Sequence, residues 1–165
     1  MDRPRTARRT DQDALTALEI QLPDLAATAR LAARVAAAMR RGDAILLAGP
    51  LGAGKTEFAR ALLRAVTADP RLEVPSPSYT LVQSYNTAHG PLHHFDLWRT
   101  DGPAALEELG WDDATQDIVM VEWPDRLGDR TPADALQIMF QTGPDDSRLA
   151  TLAGWPGRLQ ALSLP

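Results

Sequence analysis

"LLAGPLGAGKTEFARALL", Leu46 to Leu63, carries the spacing on which the reading of the whole chain turns. Gly49, Gly54, Lys55 and Thr56 satisfy G-x-x-x-x-G-K-[ST], with Pro50, Leu51, Gly52 and Ala53 between the two glycines. Small residues at such a bend let the backbone curl until successive amide N–H groups converge on one point. A helix that starts there adds the positive end of its dipole. The lysine then reaches the outer phosphates as a point charge, and the threonine hydroxyl is a hard oxygen donor for Mg2+. The flanks agree. "AILLA", residues 44–48, is a short continuous apolar run of the kind found in a strand buried on both faces, and "TEFARALLRAV" follows the loop as a helix. Strand, loop and helix in this order predict a phosphate-binding turn that holds a nucleotide with Mg2+.

Working outward, "ALTALEIQL" ends in alternation and predicts a first strand closed by Pro23. Asp24 is then placed to cap a helix through "LAATARLAARVAAAMRR", where Leu25, Leu31, Val35 and Met39 recur at helical spacing and "RGD" ends the run. Beyond Pro70 the character changes. "SYTLVQSY" and "PLHHFDLW" flank the turn-rich "NTAHG" as a hairpin, and "PAALEELG" reads as a short helix with Gly110 as its terminator. "DIVMVEW" is a second buried strand, and "ALQIMFQT" and "SRLATLAG" bracket "GPDD" as a second hairpin. The expected fold is a single α/β domain of the P-loop NTPase kind. Its mixed sheet should have a parallel centre of two buried strands, antiparallel flanking strands, and helices on both faces.

The chain of 165 residues is 44% hydrophobic, enough for the core of one domain, and no run approaches the roughly 18 apolar residues that cross a bilayer. It has no cysteine, so disulfides, thiolate catalysis and cysteine metal sites are excluded, and a cytoplasmic setting is expected. A net charge of −5 argues against a broad nucleic-acid-gripping surface. The one basic cluster, "RPRTARR" at residues 3–9, lacks the apolar segment of a secretory signal. Residues 1–14 are expected to form a flexible tail and residues 15–165 the nucleotide-binding domain.

Phosphoryl chemistry also needs an acidic group near the metal and a group that orients the attacking oxygen. Glu122 ends the apolar run "IVMV", where an unpaired carboxylate would be costly to bury without a cation or water. Asp96, at the end of "HHFD", is the second candidate. His94 on the same alternating strand reads equally well as a surface residue or as part of the site.

Taken in order, "GPLGAGKT", "SPSYTLVQSY", "HFDLWR" and "VEWPDRL" resemble the TsaE (YjeE) family, small bacterial P-loop ATPases of threonylcarbamoyladenosine synthesis in tRNA. The resemblance runs from about residue 22 to residue 148. It implies that the chain binds ATP or ADP with Mg2+ and works with TsaD and TsaB, TsaD transferring the threonylcarbamoyl group, so that tRNA is met only through the complex. It implies that Lys55 and Thr56 hold phosphate and Mg2+, that Glu122 serves the metal, and that Asp96 belongs to the catalytic centre. "SPSYT" would be a switch-like segment with the Ser78 and Thr80 hydroxyls near the γ-phosphate, and Trp98 and Trp123 would face a partner. The base would lie near Asp24, Leu25 and Arg148.

Four positions depart from the family pattern. Pro50 replaces an acidic residue, Glu57 replaces threonine or serine, Ser78 replaces threonine, and Trp98 replaces tyrosine. Glu57 adds a negative charge beside the metal position. Two other functions share such a loop. A small-molecule kinase would need an arginine-rich lid, whereas the late arginines here are scattered, and a nucleotide-sensing assembly protein would need no turnover.

Overall fold

The two apolar runs predicted to be buried on both faces occupy the middle of a seven-stranded sheet in the computed structural model, which describes residues 17–164. Strand β1 (Ala17–Leu22) precedes helix α1 (Leu25–Ala38). Then come β2 (Ala44–Ala48), α2 (Lys55–Thr67), β3 (Val82–Thr87), β4 (Gly90–Asp96), the short helix α3 (Trp111–Ala114), β5 (Ile118–Glu122), β6 (Leu136–Thr142) and β7 (Arg148–Ala153). The spatial order is β1-β7-β6-β2-β5-β4-β3. The proposed tail, residues 1–14, lies outside the described residues.

Strand parity builds two cores. Ile45 and Leu47 of β2, with Ile118 and Met120 of β5, face α1 and α2, while Ala44, Leu46, Val119 and Val121 face the other side. On the first side Phe58 of α2 packs against Phe140 of β6 with ring centroids 5.6 Å apart. On the second, Trp111 meets Phe95 edge-on at 5.1 Å. Helical cover is therefore unequal: two long helices on one face, and α3 with the 3₁₀ turns Pro103–Leu106 and Pro124–Arg130 on the other.

The parallel centre is wider than the two strands expected. β6, β2, β5 and β4 all run parallel, so each hairpin contributes one strand to the centre and one to an antiparallel flank. Three local expectations are corrected. α1 stops at Ala38, because Met39 turns to extended backbone. The strand expected from Ser78 begins only at Val82, because residues 77–80 form a turn and Leu81 adopts a left-handed φ of 67°. Gly110 does not end a helix: "PAAL" is a 3₁₀ turn, and Gly110, at φ 74°, opens α3 instead.

The C-terminal segment is tied back at the junction of α1 and β2. Arg158 donates to both oxygens of Asp43 at 2.8 and 2.9 Å and to the Ala38 carbonyl at 2.9 Å, and its guanidinium stacks on Trp155 at 4.1 Å. Such a fork is geometrically specific and charge-assisted. Arg158→Ala should lower the unfolding free energy by about 2 kcal/mol, with Arg158→Lys recovering only part of it. Urea unfolding at unchanged m-value measures this, and a wild-type midpoint for Arg158→Ala would refute the tie.

Candidate nucleotide-binding site

The loop after β2 is shaped by two close approaches. Gly49 has φ 139°, and a Cβ there would stand 2.5 Å from the Phe140 carbonyl oxygen, so only glycine lets the loop pass β6. Gly54, at φ 109°, sits at the N-cap of α2 with no side chain capping it. The first amides of α2 are thus left to an outside acceptor, which is the arrangement that receives an anion.

Lys55 is almost wholly buried at the start of α2. Its Nζ donates to the carbonyls of Gly49 and Pro50, the latter at 2.9 Å, and lies 4.0 Å above the Trp123 ring. Burial holds its pKa below the ordinary lysine value, and the charges of Glu122 and Asp96 oppose that shift.

The two carboxylates are neighbours because β4 and β5 run parallel in a register that sets Asp96 beside Glu122. Both share the face of Ile118 and Met120, toward α2. Thr56 Oγ1 donates to Glu122 Oε1 at 3.0 Å, so the second residue of the helix and the end of the strand are joined. Asp96 Oδ2 accepts from Ser78 Oγ at 3.1 Å and Oδ1 from the Trp98 amide at 3.1 Å. Thr56 and Glu122 are hard oxygen donors. Among the described residues no cluster of three or more His, Cys, Asp or Glu side chains could hold a metal alone. A two-oxygen set suits Mg2+, which keeps waters and phosphate oxygens as its other ligands.

A cavity of about 640 Å³ joins these groups to the far end of the sheet. There Asp24 Oδ1 accepts from the Ala27 amide at 2.8 Å as the cap of α1, Leu25 is exposed, and Arg148 runs its stem past Gly54. Of the residues singled out in the sequence, Asp24, Leu25, Leu51, Gly52, Gly54, Lys55, Thr56, Glu57, Ser78, Asp96, Trp98, Glu122, Trp123 and Arg148 line this cavity. Gly49, Pro50 and Ala53 form the loop without lining it, and Thr80 is exposed outside it. Glu57 turns its carboxylate to Arg60 at 2.9 Å. Ser76 and Asp146 also line the cavity and were not singled out. Ser76 lies 2.8 Å from Ser78 and sits in the same "SPS" motif, whereas Asp146 precedes Arg148 in a turn that carries no motif. His94 is no surface residue: it is completely buried against Glu122.

A glycine loop between a buried parallel strand and a helix, with lysine, threonine and a strand-end glutamate converging on one cavity, defines the P-loop nucleotide-binding class. The comparisons agree. Residues 22–150 match the model of the family described as "Threonylcarbamoyl adenosine biosynthesis protein TsaE". A tRNA threonylcarbamoyladenosine biosynthesis protein TsaE of Bacillus subtilis is 33% identical over 137 residues, 82% of this chain and 84% of that protein. One of Synechocystis is 38% identical over 118 residues, 67% of this chain and 72% of that protein. The crystal structure of Bacillus subtilis YdiB superposes with a TM-score of 0.69 at 27% identity, covering 88% of this chain and 90% of that one. The chain belongs to the TsaE family.

The position of Lys55 has an optical consequence. A phosphate that draws Nζ off its loop carbonyls also removes a cation from the Trp123 ring, whose centroid lies 4.2 Å from that of the tilted Trp98 ring. Titration with ADP should therefore change tryptophan fluorescence. Trp123→Phe should lose most of the change, and Trp111→Phe should keep it, because Trp111 is buried against Phe95 and lines none of the cavity. A full response in Trp123→Phe would show that the lysine does not leave the ring.

Proposed function

We propose that this chain binds ATP with Mg2+ and hydrolyses it in support of TsaD and TsaB family proteins, in the formation of threonylcarbamoyladenosine in tRNA in the cytoplasm. The observation that carries the reading is the convergence of Lys55, Thr56, Glu122 and Asp96 at one end of a cavity whose other end holds Asp24, Leu25 and Arg148. The relatives named above are threonylcarbamoyladenosine biosynthesis proteins, which supports the pathway.

In this reading the backbone N–H groups of the loop after Pro50, up to Thr56, hold the β-phosphate, and Lys55 moves to the outer phosphates. Thr56 and Glu122 hold Mg2+, which when bound neutralises charge on the phosphate oxygens. Asp96, with its Oδ2 shared with the Ser78 hydroxyl, orients the attacking water. Ser78, Thr80, Trp98 and Trp123 transmit nucleotide state to the partner, because a γ-phosphate orders nearby loops and hydrolysis releases them. tRNA is met only through the complex. Among the described residues lining the cavity Arg148 is the one arginine, which disfavours a kinase lid.

Phosphate release by the chain, alone and with TsaD and TsaB, tests the proposal. Lys55→Ala should weaken ADP binding by about 2 kcal/mol, since it removes one charge-assisted contact and leaves the backbone cradle. Glu122→Ala and Asp96→Ala should still bind nucleotide and lose partner-stimulated release. Full stimulation in Glu122→Ala would refute its metal role, and a phosphorylated metabolite formed faster than free phosphate would replace the ATPase by a kinase.

A further inference from the structure

The two oxygens of Glu122 are held from opposite sides. Oε1 accepts from Thr56, and Oε2 lies 2.8 Å from Nε2 of His94. His94 is 0% exposed and Glu122 2%. Their contact follows from parity and register: Leu92, His94 and Asp96 share one face of β4, and β4 sets His94 opposite Met120, so Glu122 is its diagonal neighbour on β5. A ring N–H at Nε2 is placed to donate to Oε2. Nδ1 is buried with no partner among the described residues. A buried polar atom left unsatisfied is unfavourable, and an apolar ring in the same slot would avoid it. Among the described residues, the ring's one polar contact is with Glu122.

We propose that His94 is a positioning residue for the nucleotide chemistry. Its Nε2–H pins Oε2 of Glu122, so that Oε1 stays directed at Thr56 where Mg2+ is to be held. The inference rests on the Mg·ATP reading above and extends it by one residue. His94 lines none of the cavity and touches no nucleotide position. Its loss should therefore weaken the Mg2+-dependent part of binding and spare the metal-free part. Groups that orient a metal ligand from behind typically tune metal affinity by about 10- to 100-fold.

The experiment is calorimetric titration with ADP, in Mg2+ and in EDTA, of the full chain and its variants. The readout is the ratio of the dissociation constant in EDTA to that in Mg2+. His94→Phe should reduce that ratio by about tenfold or more while leaving the EDTA value within about twofold. His94→Gln, whose amide N–H can stand near the place of Nε2, should keep the wild-type ratio. An unchanged ratio in His94→Phe, with the ratio lost in Glu122→Ala, would overturn the positioning role and leave the metal reading intact. A wild-type ratio near one, or one that Glu122→Ala does not alter, would overturn the metal reading and the positioning role together. Should His94→Phe fail to fold, long-range 1H–15N spectra of the wild-type histidine rings decide: a His94 ring protonated at Nε2 supports the proposal, and one protonated at Nδ1 alone overturns it.

Discussion

Parallel pairing of β4 with β5, in the register that sets Asp96 beside Glu122, decides where everything else in the site can stand. With a side-chain period of two, a slip of β4 by one residue would turn Asp96 to the α3 face and bring Phe95 to the side of the phosphate loop, leaving Glu122 without its neighbour. The observed register instead delivers two acidic side chains to the end of the sheet where α2 begins. It also sets where the chain goes as it leaves each strand. Trp123 and Trp98 leave adjacent strand ends within two residues of the carboxylates, and so their rings meet.

Two buried carboxylates side by side repel each other and lose hydration, so the arrangement needs compensating donors. The structure supplies them singly: Thr56 and His94 to Glu122, Ser78 and the Trp98 amide to Asp96. Lys55 is near enough for both charges to act on its pKa, yet it donates to loop carbonyls rather than to either acid. Trp123 completes this side of the cavity from a left-handed φ of 60°, a conformation that costs a non-glycine residue about 1–2 kcal/mol. Contacts of its ring with Lys55 and Trp98 offset that cost.

The phosphate loop was legible because its chemistry is local. Glycine spacing, lysine, threonine and the flanking elements are contiguous in the chain, and the strand-end position of Glu122 follows from one apolar run. Strand partners were less so. Periodicity tells which residues share a face but not which strand lies alongside, so β4 and β6 read as outer hairpin strands and proved to be central. The same gap concealed His94. Its spacing of two from Asp96 already placed it on the inner face, but burial there depends on β5 alongside, which no local pattern reports. Asp146 was out of reach for a simpler reason: a turn far along the chain returns to the cavity only because β6, which leads into it, pairs with β2.

The contact of Gly49 with the Phe140 carbonyl carries a mechanical consequence. β6 is the back wall of the phosphate loop, and the same strand leads through its turn to Asp146 and Arg148 at the other end of the cavity. Arg148 in turn leans on Gly54. Loop and hairpin therefore brace each other at two points, as the jaws of a caliper share one beam. The spacing between the loop and the β6–β7 turn is thus set in part by a main-chain contact, and any side chain added at position 49 would push the two walls of the cavity apart.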